Sequence, residues 1–233
     1  MIVARRIVSE IAKKGLRPGD RLPPERVMLE EYDVGRGTLR ESLRYLELSG
    51  ALSLKPGPGG GPTIEKPDSS NLMNSIALLL QFENASLETL LEARVGLEPM
   101  NARLAAEHIS AEQLAALQSS VTRMSENIKD LDTFYETSKE FHDGLAWASG
   151  NPLLSYLIDA LGSLFANPQL TDYSLRHRKA DLAAHIEVLD ALTAGDPDRA
   201  ETTMRAHMVE MAAQLRKHAA PILAQPVAWK VAQ

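Results

Sequence analysis

Two neighbouring stretches decide the reading of this chain: Leu16-Arg-Pro-Gly-Asp-Arg-Leu-Pro-Pro-Glu25 and Val34-Gly-Arg-Gly-Thr-Leu-Arg-Glu-Ser-Leu43. In the first, Pro18-Gly19-Asp20 supplies turn chemistry, and Pro24 is placed to open a helix through Glu31. A break at residues 32–35 separates that helix from another over residues 36–48, closed by Gly50. Upstream, Ile2, Ile7 and Ile11 mark an amphipathic helix over residues 2–14, ended by Gly15. Downstream, residues 51–55 and 63–65 pair as a hairpin across a turn dense in glycine and proline.

Two short helices about four residues apart, followed by a hairpin, describe a winged helix-turn-helix, whose second helix enters the major groove N-terminus first. That N-terminus reads Arg36-Gly37-Thr38-Leu39-Arg40, with Arg44 one turn on. Arg40 and Arg44 share a face opposite Leu39, Leu43 and Leu46. Arginine grips guanine bidentately, Thr38 suits a phosphate or base edge, and Gly37 lets the backbone approach the duplex. Arg26, at the start of the preceding helix, reaches toward a flanking phosphate. Spacing alone also allows these arginines to be a solvated face.

The composition is that of a soluble protein: 44% hydrophobic, 24% charged and 5% aromatic. With no cysteine, disulfide and thiolate chemistry are excluded, and a reducing cytoplasm is the expected home. The N-terminus lacks a signal-peptide core, and the most apolar run, residues 72–82, is about half of what a membrane span needs. The net charge of −6 hides an asymmetry. Residues 1–66 hold 12 basic against 9 acidic residues, and residues 67–233 hold 13 against 22. The first part suits phosphate, and the second is repelled by it.

The glycine- and proline-dense run at residues 56–68 marks a boundary. The expected organisation is a DNA-binding domain at 1–66, a linker at 67–70, a helical domain at 71–220 and a tail at 221–233. Helix starts in the second part are legible: Ser86, the capping-box pattern Ser110-Ala-Glu-Gln113, Asn151-Pro152 and Asp196-Pro197. Apolar residues recur at three and four, as in Leu114, Leu117, Val121, Met124 and Ile128. Six or seven such helices with short links predict an antiparallel bundle, so the fold class is mainly α.

Within that bundle His142, His185 and His207 lie on the apolar faces of three different helices. His108, His177 and His218 fall near helix ends. Inward imidazoles on facing helices are ligands for a divalent transition metal, or else hydrogen-bonded core histidines. Arg94 stands mid-helix among Leu90, Leu91, Val95 and Leu97. Its guanidinium needs an anion, either Glu98 one turn on or the carboxylate of an effector.

Residues 2–65 resemble the GntR family of bacterial regulators, on the paired motifs quoted at the outset. Gly35 departs from the serine usual there. The resemblance implies DNA contacts from Arg26, Arg36, Thr38 and Arg40, and a wing around Gly57 near the minor groove. The runs Leu91-Glu-Ala-Arg94-Val-Gly-Leu-Glu98, Phe141-His142, Gly150-Asn151, His185 before Ala194-Gly195-Asp196, and Met204-Arg-Ala-His207 resemble the FCD ligand-binding domain of the FadR-like subgroup. In many members an aspartate four residues before the first histidine joins three histidines around zinc or nickel. Ser138 stands there in this chain, a poor ligand, and Asp181, one turn before His185, is a substitute. The resemblance also implies an effector position at Arg94.

The function expected is a ligand-responsive transcriptional regulator, repressor or activator, acting as a homodimer on an inverted-repeat operator. Its effector is a small organic acid near Arg94, Ser138 and the histidines. The rivals are a regulator that senses the metal itself and a metal-dependent enzyme of the helical domain. No nucleophile triad or phosphate loop supports the enzyme.

Overall fold

The computed structural model describes residues 1–55, 57, 60–165 and 174–229. The chain divides into two compact units, Met1–Asn71 and Leu72–Gln233.

The N-terminal unit runs α1 (Ile2–Lys13), α2 (Glu25–Tyr32), α3 (Arg36–Leu48), β1 (Leu52–Lys55) and β2 (Gly61–Ile64). Gly15, at φ +64°, ends α1 in a left-handed turn open to glycine. Pro24 opens α2 from the cap position rather than the first helical one, because its ψ of 151° is extended. Its carbonyl accepts the first helical bond from Met28 N. Asp33, also left-handed, turns the chain between α2 and α3. The strands pair antiparallel from Leu52↔Ile64 to Lys55↔Gly61. The second strand therefore starts two residues before the sequence pattern suggests. Pro62 lacks a donor, but its carbonyl accepts from Leu22 N, and Arg21 bridges Thr63, so this strand is tied on its outer side. Ile7, Met28, Leu39, Leu46, Leu52 and Ile64 form the shared core.

The C-terminal unit comprises α4 (Ser70–Phe82), α5 (Leu87–His108), α6 (Ala111–Glu126), α7 (Leu131–Ala148), α8 (Pro152–Phe165), α9 (Leu175–Thr193), α10 (Pro197–His218) and α11 (Ala220–Leu223). Ser110 and Gln113 close a reciprocal capping box on α6. Asn151 Oδ1 accepts from the first amides of α8, and Asp196 caps α10 with Pro197 behind it. Helix α5 is the axis, packing against α7, α8, α9, α10 and α11. Residues 221–229, read from sequence as part of a tail, lie against this unit: Val227 is buried and its amide donates to Ala85 O. Among the described residues no helix is long and apolar enough to cross a membrane.

Candidate functional sites: a DNA-reading helix and a histidine cluster

On α3 the buried side is Leu39, Leu43 and Leu46, which leaves Arg36, Gly37, Thr38, Arg40 and Arg44 exposed on the other. Each of three arginines named from sequence holds a carboxylate. Arg40 Nε lies 3.0 Å and Nη2 3.5 Å from the two oxygens of Glu25, which begins α2. Arg26 pairs with Glu30 at 2.9 Å, and Arg44 pairs with Glu47. Glu47 also accepts from Leu54 N of β1, so one carboxylate ties the wing's first strand to α3. Gly57 is exposed in the wing turn at φ +97°, a conformation that favours glycine. The orienting roles of Glu25 and Glu47 carry no sequence signal, since each is one acid among many on solvent faces.

In the helical unit α7, α9 and α10 carry His142, His185 and His207 into one buried cluster, at 5%, 0% and 4% exposure. His142 Nε2 faces His185 Nε2 at 3.3 Å and His207 Nε2 at 3.4 Å. Phe141 stacks on His185 with centroids 4.4 Å apart and fixes that ring. Behind the rings stand two carboxylates. A carboxylate oxygen of Glu98, on α5, lies in close contact with His142 Nδ1. Asp181 Oδ1 lies 3.4 Å from His207 Nδ1. A neutral imidazole carries a single N–H, and a carboxylate beside Nδ1 draws it there. His142 and His207 then present bare Nε2 lone pairs to one another, an arrangement that a shared cation relieves.

The charges follow burial and neighbours. Burial pushes the Asp181 carboxyl up to about 6, against the pull of His142 and Arg94. Burial would raise Glu98 too, but the Arg94 guanidinium and His142 override it and hold the group at about 2. Burial, with His142 adding, lowers His207 to about 3, and burial together with His207 and His142 holds His185 well below the usual imidazole range. Arg94 Nε donates to Glu98 Oε1 at 2.7 Å, and its guanidinium lies 5.6 Å from the Phe165 ring centroid. Ser138 is half-buried on α7, one turn before His142.

The donor set fits a divalent transition metal. Two nitrogens each about 2.0–2.1 Å from one tetrahedral ion lie about 3.3 Å apart, which matches the distances from His142. Each carboxylate behind a ligand ring is the partner such ligands ordinarily have. Asp181 stands behind the His207 ring, and the group that could hold an ion consists of the three histidines. The position of Glu98 behind His142 had only one signal in the sequence, its spacing from Arg94. A cleft of about 750 Å³ between α9 and α10 reaches this cluster, with Asp181 and His207 in its wall.

Comparison with known proteins assigns each of the two units to a known domain family. Residues 2–60 match the model for bacterial regulatory proteins of the gntR family, and residues 89–210 match the FCD domain. The chain belongs to the GntR family. This GntR protein is 26% identical to the HTH-type transcriptional repressor NanR of Salmonella newport over 226 residues, covering 91% of this chain and 86% of that one. Among solved structures it resembles Streptococcus agalactiae GntR, at 28% identity and a TM-score of 0.71, over 91% of this chain and 98% of that one. It shares its fold with E. coli McbR/YncC, at 20% identity and a TM-score of 0.51, over 92% and 95% of the two chains. It is thus a transcriptional regulator of the GntR family with an FCD ligand-binding domain.

Proposed function

We propose that this GntR regulator is a cytoplasmic homodimer that grips an inverted-repeat operator and responds to a small organic acid anchored at a metal. Arg36, Thr38, Arg40 and Arg44 read the major groove, Arg26 meets a flanking phosphate, and the wing at Gly57 lies along the minor groove. His142, His185 and His207 hold zinc or nickel, a pair suited to imidazole donors. When bound, the metal supplies a Lewis-acid point that takes an effector carboxylate. Glu98 and Asp181 orient the rings of His142 and His207, and Phe141 holds that of His185. The Arg94–Glu98 pair keeps the Glu98 carboxylate ionised behind His142. The FCD match and the cleft reaching His207 support an effector site in this unit.

The observation that carries this reading is the convergence of three buried Nε2 atoms, with carboxylates behind two of the rings. Elemental mass spectrometry of protein purified without chelator tests it. Near-stoichiometric metal, absent from a His142→Ala/His185→Ala/His207→Ala variant that still folds, is the expected result. Metal-free wild-type protein that also stays empty after incubation with zinc or nickel overturns the metal anchor.

A further inference from the structure

The three histidines of the cluster are buried, so an ion held there has to cross the protein to arrive. The α9–α10 cleft is a way in, because its wall extends to Asp181 and His207. At one end of the same wall stand two more imidazoles, His177 in the first turn of α9 and His218 in the last turn of α10. His177 is half-buried and His218 exposed. Their ring centroids lie 5.2 Å apart. Within the cluster the three pairs of rings are 4.8, 5.1 and 5.4 Å apart, and those rings bring one nitrogen each to a common point. The outer pair thus has the spacing of the inner ones.

A contact between two rings at helix ends would by itself be packing. Helical periodicity makes it the head of a ladder. On α9, Asp181 stands one turn after His177 and His185 one turn after Asp181, so successive donors on that face are about 6 Å apart. On α10, His218, Gln214, Glu210 and His207 follow one another on one face in the same direction, from the mouth to the cluster. Gln214 Nε2 donates to Glu210 Oε1 at 2.6 Å, which holds those two side chains together midway. Asp181 serves both ends, since it lines the cleft and its Oδ1 lies 3.4 Å from His207 Nδ1. The wall also carries Arg176 and Lys217, both exposed, but Asp181, Glu187 and Glu210 outnumber them, so the cleft as a whole does not repel a cation.

We infer that His177 and His218 form an outer site for a divalent transition metal, from which the ion passes along the cleft to the buried cluster. The hand-over rests on the cluster being a metal centre, and the outer site does not. Imidazole suits the same ions at both places. Two nitrogens, with water completing the coordination, hold an ion more loosely than three, so transfer inward runs downhill. Asp181 is the oxygen donor between the two sites, a carboxylate that such ions accept.

The test uses zinc and the chelator-stripped, full-length protein, as wild type and as His177→Gln/His218→Gln. Glutamine leaves the cleft polar and adds no charge. Calorimetric titration of the wild type is expected to show a tight zinc event and a weaker one, and the variant to keep the first and lose the second. Loading is then timed by mixing protein with zinc, quenching with excess chelator at intervals and measuring the retained metal. The variant is expected to fill at least ~10-fold more slowly, the lower end of what local concentration at a cleft provides, and to reach the same final content. His218→Gln alone, an exposed position, should also lose the weaker event, which guards against a double variant that disturbs the start of α9. A wild type without the weaker event, or a variant that retains it, overturns the outer site. Loss of that event with an unchanged loading rate overturns the hand-over. Absence of the tight event counts against the cluster as a metal centre and takes the hand-over with it. The outer site then stands or falls on whether the remaining event disappears with His177 and His218.

Discussion

Arg40 is held side-on: Glu25 takes its Nε and one Nη, which fixes the guanidinium plane on the exposed face of α3 proposed above to read DNA. The pair is exposed in the free protein, where such contacts contribute little to stability. Its value lies in aiming the fork before a base edge arrives. Arg40→Ala is expected to remove operator binding while thermal unfolding stays unchanged. Glu25→Gln keeps the arginine but frees its plane, so discrimination at one base pair should fall by about 10-fold, the lower end of a bidentate contact's worth. Competition binding at fixed salt, with each operator position varied in turn, distinguishes this from a uniform loss of affinity. A Glu25→Gln profile identical to wild type would sink the aiming role. Inside the helical unit the same pairing has a different energetic meaning. Arg94 and Glu98 are almost wholly buried, so Glu98→Gln leaves a guanidinium uncompensated and should cost about 3–5 kcal/mol in denaturant unfolding. Replacing both, as Arg94→Met/Glu98→Leu, should recover most of that loss, because two apolar side chains leave no charge stranded.

Helices whose ends and stripes are written in local chemistry were open to reading from the sequence. Ser110 with Gln113, Asn151 with Pro152 and Asp196 with Pro197 each start a helix where their side chains meet orphan amides. Ser110→Ala, which removes one half of a closed box, should lower stability by about 1 kcal/mol in the same unfolding assay. The three histidines were legible for a related reason: each sits in a run of apolar residues spaced by three and four. Helix α5 was less so. It packs on five neighbours, so buried residues cover much of its circumference, including Arg94, Glu98 and Asn101, and no clean stripe announces which way a side chain points. Glu98 meets His142 across 44 positions of sequence, a contact that only the packing of α5 on α7 creates. The wing shows the same limit on a smaller scale. Gly60 is required because a Cβ there would come within 2.2 Å of the Lys55 carbonyl oxygen, a closeness invisible in a run of glycines. Gly60→Ala should therefore deform the hairpin and weaken operator binding several-fold in a gel-shift titration, while the helical unit's metal content is untouched.

At the scale of the whole chain, two units with separate cores have been given opposite charge and different ligands. A ligand that binds only the folded form of one unit stabilises that unit by mass action, about 2.7 kcal/mol at a free concentration one hundred times its Kd. Zinc bound by His142, His185 and His207 should act on the helical unit alone, since all three ligands come from α7, α9 and α10. Scanning calorimetry of the full chain is then expected to show two transitions. Chelation should move one of them down by several degrees and leave the other in place. Operator DNA should raise the transition that chelation spared, because Arg36, Arg40 and Arg44 lie on α3 of the other unit. A single transition shifted equally by zinc and by DNA would contradict the independent cores. It would mean that the two units unfold together, and that the effector's signal reaches the DNA-reading helix through their shared stability rather than through rearrangement of two intact bodies.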